Sequence, residues 1–462
     1  MTGSQAPWVT WFGDDFTGSA AVMEVLAFAG LPSVLFTDIP SSGMLARFAD
    51  CRGIGIASTA RSHDPGWMEA NLPAPLRFLH GLGAPILHYK ICSTFDSTPQ
   101  TGSIGKAIEI GLGIRQAAAV PLLTAAPAMR RYQAFGNLFA ATLDAVHRLD
   151  RHPVMAHHPV TPMAEADLLR HLSAQTDLPG GLIDLEALNG DPQTCLMRLV
   201  KEGARILSLD NMDAVSELAA GKLIWENRDM LGFVAGSQGV EYALVRYWQK
   251  SGMLAPPPTA QGAGSADRIV AVSGSVSPVT ARQLDWAGRN GFTLLAFDAS
   301  AACADPWILA AEEARLIDAA IQAAEHGASP LVHSASGHDG PEIARFRAAL
   351  ARGGVDPGTA NRRVGEALGR ILDAVLQRTG IRRAVISGGD TSGHGMRQLG
   401  LSALVARAPT VPGAALCTAY GDGPHDGLEI ALKGGQMGSE DYFGWIRDGG
   451  GERSFPAGSQ PT

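Results

Sequence analysis

Several well-known signatures of nucleotide and metal sites are missing from this 462-residue sequence. It has no GxxxxGK[ST] phosphate loop, no GxGxxG dinucleotide fingerprint and no HExxH metal motif. A protein-kinase signature is absent as well. Any nucleotide must therefore be held by another kind of turn, and the missing GxGxxG disfavours a nicotinamide-dependent dehydrogenase.

Clustered positive charge is also scarce. The formal net charge is −8 and the isoelectric point is near 5.9, with no block rich in Lys or Arg. Binding to nucleic acid or to an anionic membrane usually needs such a block. We therefore expect neither partner, and an anionic small molecule would need a few local cations instead.

Paired cysteines and long apolar runs are missing too. The five cysteines are scattered and form no CxxC pair, which fits a reducing compartment. The start of the chain lacks a basic, apolar leader. The longest low-polarity stretch, 117–129, contains two prolines and is shorter than the roughly 20 residues of a membrane helix. These features predict a cytoplasmic protein.

The pattern that is present is a repeated apolar run followed by a helical stretch. Short apolar runs end in Gly, Ser or Asp and precede segments rich in Ala and Leu, which is typical of βα units. The segment 255–267 is rich in Pro, Gly and Ala, and a new strand follows it. We predict an α/β protein with two Rossmann-like domains, 1–255 and 267–446, each with a mainly parallel sheet and with a cleft between them.

The first strand leads into GDDFTGSA, where Asp14 and Asp15 precede a helix. Carboxylates at this edge of a sheet can accept hydrogen bonds from substrate hydroxyls, and one could take a proton. Either could instead cap the helix, as Asp often does. We expect one capping and one functional aspartate.

Arg61 follows the strand GIGIAS, so it belongs to the same edge of the sheet. A guanidinium matches a carboxylate bidentately, which makes Arg61 a candidate for the acid group of a substrate. An exposed surface arginine fits the pattern equally well.

The segment 88–109 adds a lysine and a loop rich in hydroxyl groups. Its candidate ligands of a polyol acid are Lys90, Ser93, Asp96 and Ser97. His157 and His158 lack a carboxylate or cysteine at metal spacing, so they favour a structural role, and the ligands of any metal stay unassigned.

The second half contains three glycine-rich turns after strands. The candidate residues are Ser273, Ser275, Gly388, Gly389, Asp390, Thr391, Lys433 and Gly434. Consecutive glycines allow a nest of N–H groups for phosphates, and Asp390 could hold Mg²⁺ through water. Lys433 could neutralise phosphoryl charge. Ordinary tight turns and helix caps are the alternatives.

Together, GDDFTGSA, TARS, YKICSTFDST, VSGSVSPVT, SGGDTSG and ALKGGQMGS resemble, in order, the motifs of the four-carbon acid sugar kinase family. This resemblance implies an N-terminal sugar-acid domain, a C-terminal ATP domain and the cofactors ATP and Mg²⁺. It places Asp14, Asp15, Arg61, Lys90 and Asp96 in the substrate site. The glycine-rich turns would hold the nucleotide.

The details of the resemblance bear on the substrate. CSTFDS is similar to the 3-oxo-tetronate kinase subgroup, although Cys92 stands where many members have aspartate. FGNLF and HHPVTPM suggest another branch. The expected activity is phosphorylation of the terminal hydroxyl of a 3-oxo-tetronate, threonate or erythronate. The alternatives are a kinase for a branched acid such as 3-oxo-isoapionate, a sugar-acid dehydrogenase and a non-catalytic sensor. A homodimer is a further expectation.

Overall fold

The computed structural model describes residues 6–142, 145–158, 160–257, 259–337 and 340–453. The chain forms two compact units, Met1–Pro258 and Thr259–Thr462. Each unit contains a mostly parallel sheet with helices between successive strands. The predicted α/β class is confirmed.

The first unit is built on a parallel sheet with the strand order β2-β3-β1-β4-β11-β5-β10-β9. Its strands are β1 (Val9–Gly13), β2 (Ser33–Phe36), β3 (Gly53–Ala57), β4 (Ile86–Lys90), β5 (Val120–Leu123), β9 (Gly180–Ile183), β10 (Ile206–Leu209) and β11 (Phe233–Gly236). The runs VTWFG, SVLF, GIGIA and ILHYK are buried throughout, because a parallel sheet is covered on both faces. The strands predicted there are confirmed.

The helices of this unit are α1 (Phe16–Phe28), α2 (Ser42–Ala46), α3 (Pro65–Asn71), α4 (Pro73–Gly81), α5 (Ile104–Ile114), α6 (Leu168–Leu172), α7 (Leu185–Asn189), α8 (Pro192–Lys201), α9 (Ala214–Glu226), α10 (Arg228–Leu231) and α11 (Gly239–Lys250). Many begin at an aspartate or serine whose side chain accepts a main-chain N–H of the first turn, as Asp15 and Ser103 do. Such caps fix where the turns after the strands end.

An antiparallel insertion, which was not predicted from the sequence, follows β5. It consists of β6 (Arg131–Ala134), β7 (Asn137–Ala141) and β8 (Val146–Arg148). Phe135 and Gly136 of the FGNLF segment form the tight turn between β6 and β7, both with positive φ, and the rest of the segment begins β7. The insertion is attached to the main sheet through reciprocal main-chain bonds between Gln133 and Asn211.

The second unit has the strand order β13-β14-β12-β15-β18-β17-β16. Its strands are β12 (Val270–Ser273), β13 (Phe292–Ala296), β14 (Ser329–His333), β15 (Arg383–Ser387), β16 (Leu401–Ala408), β17 (Leu416–Gly421) and β18 (Leu428–Lys433). Its helices are α12 (Pro278–Arg289), α13 (Pro306–Glu325), α14 (Pro341–Ala351), α15 (Pro357–Thr379), α16 (Gly389–Gln398) and α17 (Tyr442–Arg447). Strands β16 to β18 are antiparallel, and the rest of the sheet is parallel.

Candidate functional site

Three predicted site residues of the first unit lie at one edge of its sheet. Strand β1 is flanked by β3 and β4, and Gly13 is in register with both Ala57 and Lys90. The chain leaves these strands at Asp14, in the turn that carries Arg61, and at Lys90 itself. The sheet therefore brings together residues that are far apart in the sequence.

Asp14 and Arg61 form a bidentate pair. Nε of Arg61 donates to Oδ2 of Asp14 at 3.1 Å and Nη2 donates to Oδ1 at 2.6 Å. The side chain of Asp14 is only 3% exposed, and burial raises the pKa of its carboxyl, an effect that Arg61 opposes. Arg61 is thus not a free surface arginine, because Asp14 already occupies its bidentate edge.

Asp15 is the more accessible of the two aspartates. Its Oδ1 accepts from the Gly18 main-chain N–H at 3.0 Å, which caps α1, and from Nη2 of Arg61 at 2.8 Å. The side chain is 28% exposed, and no described residue donates to Oδ2. Asp15 therefore caps the helix with one oxygen and has the other available.

Lys90 is buried beneath the first turn of α1. It is 1% exposed, and its Nζ donates to the main-chain oxygen of Ile91 at 2.6 Å. A Cβ atom at Gly18 would lie 2.4 Å from Oδ1 of Asp15 and 2.5 Å from Nζ of Lys90. Gly18 thus leaves room for the lysine and the Asp15 carboxylate to lie close together.

The loop after β4 has both accessible and fully buried groups. Oγ1 of Thr94 donates to Oδ1 of Asp96 at 2.8 Å and lies 3.0 Å from Sγ of Cys92. Burial raises the pKa of the Cys92 thiol to about 11, so the thiol stays protonated near neutral pH. Ser93 and Asp96 are partly exposed, which leaves both open to a ligand.

Ser97 is placed differently from its neighbours. It is 0% exposed, and its Oγ donates to the main-chain oxygen of Phe95 at 3.0 Å. The same oxygen accepts from Nε2 of Gln175 at 2.9 Å and lies 3.1 Å from Nε2 of His171. This hydroxyl is surrounded by protein partners, which suits a role in holding the loop.

In the second unit, three neighbouring strands end at the predicted nucleotide residues. Ser273 of β12 is in register with Ser387 of β15, which is in register with Lys433 of β18. Gly274 donates its N–H to Ser387 O, and Gly388 donates its N–H to Lys433 O, both at 2.9 Å. The glycine turns are therefore adjacent.

Gly388 and Gly274 both pack against Thr391. Gly388 has a φ of +126°, which favours glycine. A Cβ at Gly274 would lie 2.2 Å from Oγ1 of Thr391, so this position has no room for a side chain. Gly389 begins α16 next to open space, and the first N–H groups of a helix lack partners within the helix. The side chain of Asp390 lies outside the described residues.

Ser273 and Ser275 hold the first turn in shape. Oγ of Ser273 accepts from the Ser275 main-chain N–H at 3.4 Å, and Oγ of Ser275 lies 3.0 Å from Oγ1 of Thr280, within hydrogen-bond distance. Thr280 also donates to the main-chain oxygen of Gly435 at 2.9 Å. The serines thus tie this turn to the loop that follows Gly434.

Lys433 is fully buried without an acidic partner among the described residues. It is 0% exposed, and its Nζ donates hydrogen bonds to Thr280 Oγ1 at 3.3 Å and to Gly434 O at 3.2 Å. Burial lowers the pKa of Lys433 to about 7. An anion placed nearby would favour the charged lysine.

A cavity of about 260 Å³ opens beside these turns, within the second unit. Gly274 and Thr391 line one side of it. Its apolar walls come from Val276, Ile343, Phe346 and Val364, and Asn361 adds an amide. Val276 lies in the turn after β12, and the other wall residues lie on α14 and α15, where no local sequence signature of binding marks them.

The part of the chain that the structure describes contains no group of three or more His, Cys, Asp or Glu side chains that could hold a metal ion. Nδ1 of His158 accepts from the Thr161 main-chain N–H at 3.0 Å, as in a local turn. His157 is exposed. No helix among the described residues is long and apolar enough to cross a membrane.

Two domain families match the chain in sequence. A family described as a sugar-binding N-terminal domain matches residues 9–244. A family described as a nucleotide-binding C-terminal domain matches residues 270–443. Together they cover the two regions that contain the candidate residues.

Similar proteins extend along almost the whole chain. A 3-oxo-isoapionate kinase from Paraburkholderia graminis is 44% identical over 96% of this chain and 94% of its own length. A 3-oxo-tetronate kinase from Pseudomonas fluorescens is 29% identical over 95% and 96% of the two chains. The crystal structure of a Salmonella typhimurium LT2 protein matches with a TM-score of 0.77 and 26% identity, over 95% of this chain and 98% of that chain.

Proposed function

The chain belongs to the family of sugar-acid kinases that join a sugar-binding N-terminal domain to a nucleotide-binding C-terminal domain, and we propose 3-oxo-isoapionate, a branched 3-oxo acid, as its substrate. The 44% identity to a 3-oxo-isoapionate kinase supports the branched acid over the four-carbon acids of the other relatives. Phosphorylation of a terminal hydroxyl by ATP is the reaction that we propose.

The observation that carries the proposal is the cluster of Asp15, Arg61 and Lys90 around Gly18. A kinase for a polyol acid must orient a hydroxyl, accept its proton and stabilise negative charge as phosphate is transferred. The free Oδ2 of Asp15 suits the first two tasks, and Lys90 suits the third. Asp14 holds Arg61 in place.

The donor nucleotide would bind in the second unit. The N-terminus of α16, with Gly389 and Thr391, offers N–H groups to the phosphates, and Gly388 shapes the turn before it. The 260 Å³ cavity would take the adenosine, with Phe346 and Val276 against the base. Lys433 and Gly434 lie at the end of the adjacent strand, where Lys433 would become charged beside the triphosphate.

Several predictions from the sequence complete the proposal. Residues 1–255 would bind the acid and 267–446 the nucleotide, with transfer across a cleft. Mg²⁺ would accompany ATP; it usually keeps several waters and is held by one or two carboxylates and the phosphates, so a protein cage is not required. Ser93, Asp96 and the loop held by Ser97 would contact the acid. A cytoplasmic location and a homodimer stay predictions.

Release of ADP, measured with a coupled assay, tests the function directly. The panel is 3-oxo-isoapionate, 3-oxo-tetronate, threonate and erythronate, and we expect the highest kcat/KM for the branched acid. Phosphorus NMR of the product identifies the hydroxyl that is modified. If no acid of the panel stimulates ADP release, the kinase proposal fails; reduction of NAD⁺ with the same acids would support the dehydrogenase, and binding without either reaction would support the sensor.

A further inference from the structure

The carboxylate of the proposed substrate needs a cationic partner that the predicted residues do not supply freely. Arg61 uses Nε and Nη2, the two groups of its bidentate edge, on Asp14 and Asp15. Lys90 is buried and bonds Ile91 O. The inference that follows rests on the proposed function, because it assumes that an acid binds at this edge of the first unit.

Arg131, unlike Arg61, has a bidentate edge (Nε and Nη2) that no described residue occupies. Its Nη1 donates to the main-chain oxygens of Met129 at 3.1 Å, Arg130 at 3.3 Å and Ala141 at 3.4 Å. Among the described residues, none accepts from Nε or Nη2, and Nε is buried. No described carboxylate lies within ion-pair distance of this guanidinium. A buried charged donor without a partner is unfavourable, so a carboxylate there would be stabilising.

The main chain places Arg131 at the same edge of the sheet as the other candidates. Arg131 and Ala126 exchange main-chain hydrogen bonds of 3.0 and 3.2 Å, and Ala126 lies just beyond the end of β5. The side chain of Gln238, beyond the end of β11, bonds Sδ of Met129. Since β11 lies between β5 and β4, the turn before Arg131 adjoins the loop after Lys90.

The surroundings of the guanidinium agree with this placement. Burial lowers the pKa of Arg131, while Cys92 and Asp96 of the loop after β4 are close enough to oppose that effect. Cys92 in turn is close enough to Arg61 and Lys90 for their charges to lower the pKa of its thiol. Arg131 and Arg61 therefore both lie near the loop that follows β4.

The insertion that carries Arg131 is firmly attached. Asp210, at the end of β10, is 0% exposed and accepts the main-chain N–H groups of Phe135 at 2.5 Å and Gly136 at 3.0 Å. It also accepts from Nε2 of Gln133 at 3.2 Å. A guanidinium on such a support is pre-organised for one geometry.

We infer that Arg131, through its Nε and Nη2 edge, binds the carboxylate of the sugar acid and makes the site specific for acids over neutral sugars. The hydroxyl end of the substrate would then point to Asp15 and Lys90. Arg131 is in this reading a specificity residue supplied by the antiparallel insertion.

Kinetics with a matched pair of substrates test the inference. Erythrulose is the neutral compound in which a hydroxymethyl group replaces the carboxylate of 3-oxo-tetronate. For Arg131→Met we expect KM for 3-oxo-tetronate to rise roughly 10- to 100-fold, the value of one charge-assisted pair. KM for erythrulose and for ATP should stay within about threefold of wild type. Arg151→Met, an exposed arginine of the same region, is the control.

An unchanged KM for the acid, or an equal rise for the acid and erythrulose, would overturn the inference. Arg131→Lys is a second variant in case the methionine variant does not fold. It keeps the positive charge but not the bidentate geometry, so it should restore only part of the affinity for the acid. If the wild-type chain phosphorylates no acid, the proposed function fails, and calorimetry of 3-oxo-tetronate binding then decides on Arg131. Equal affinity of wild type and both variants, or no binding at all, would overturn the inference there as well.

Discussion

Gly18 and Lys90 approach so closely that a Cβ atom on the glycine would lie 2.5 Å from the lysine Nζ. The same atom would lie 2.4 Å from Oδ1 of Asp15. Glycine at this position therefore leaves room for both side chains beneath the first turn of α1, whereas a larger residue would have to displace Lys90 or Asp15. The contact connects the turn after β1 to the end of β4 and sets the distance between the carboxylates and the ammonium group.

Gly18→Ala should lower kcat/KM by about 10-fold or more, because the methyl group must push Lys90 or Asp15 out of position. Helix propensity alone would favour alanine by about 1 kcal/mol. Gly81→Ala is the matched control, since a Cβ at Gly81, also in a helix, meets nothing within 4 Å. Steady-state kinetics with ATP and the acid compare the two, and equal activity would show that the contact is not needed.

Asp15→Asn should reduce kcat by about 10²- to 10⁴-fold, because it removes the proposed base. Asparagine caps helices as well as aspartate does, so the midpoint of urea unfolding should change little. Asp14→Asn should act differently, because it weakens the bidentate pair with Arg61. We expect it to lower the free energy of unfolding by about 1 to 3 kcal/mol. If Asp15→Asn keeps full turnover, Asp15 is not the base.

Lys433→Met should stabilise the nucleotide-free protein at pH 6 to 7, by about 2 to 4 kcal/mol. The pKa of this lysine is about 7 in the folded protein and about 10.5 in the unfolded chain. Between pH 7 and pH 10.5 the unfolded chain therefore carries a proton on the lysine that the folded protein has lost. The stability of the wild-type protein therefore rises as the pH increases from about 7 toward 10.5. The variant has no lysine at this position, so it lacks this pH dependence.

Urea unfolding of both proteins across that pH range measures the effect. The difference between them should be largest at the acid end and vanish near pH 10.5. Lys250→Met, at an exposed helix end, should show no such trend. The same variant Lys433→Met should lose turnover, and a stability difference that does not depend on pH would contradict the burial of a neutral lysine.

Phe346→Ala should raise KM for ATP by about 10-fold, since one face of the proposed adenosine cavity is lost. KM for the acid should stay within about twofold, because that site belongs to the first unit. Trp307→Ala, which removes a side chain that is 69% exposed, controls for the loss of an aromatic ring. A parallel rise in both KM values would argue against a separate nucleotide cavity.

The buried strands were the part of the fold most readily predicted from sequence. Runs such as VTWFG and GIGIA are mostly apolar and are followed by small or acidic residues, which identifies both the strand and the turn after it. The insertion β6 to β8 escaped prediction. Its strands are short and half-exposed, and their pairing depends on Asp210 and Asn211, which are distant in sequence.

Individual site residues show the same division. Asp15 and Gly388 are recognisable locally, because a cap and a positive φ are properties of the turn itself. Ser97 is a hydroxyl residue in a loop that was predicted to bind the substrate, yet its side chain is buried against Gln175. Arg131 has no motif around it at all.

The sequence by itself determined which segments are strands and which turns could bind anions, since burial patterns and turn chemistry act over a few neighbouring residues. The tertiary structure decided which of these turns share a site. Strand order places Asp14, Arg61 and Lys90 at one edge of the sheet. Asp14 pairs with Arg61 there, whereas Nε of Arg131 has no acceptor among the residues that the structure describes. Such pairings depend on contacts between distant parts of the chain, which no local pattern contains.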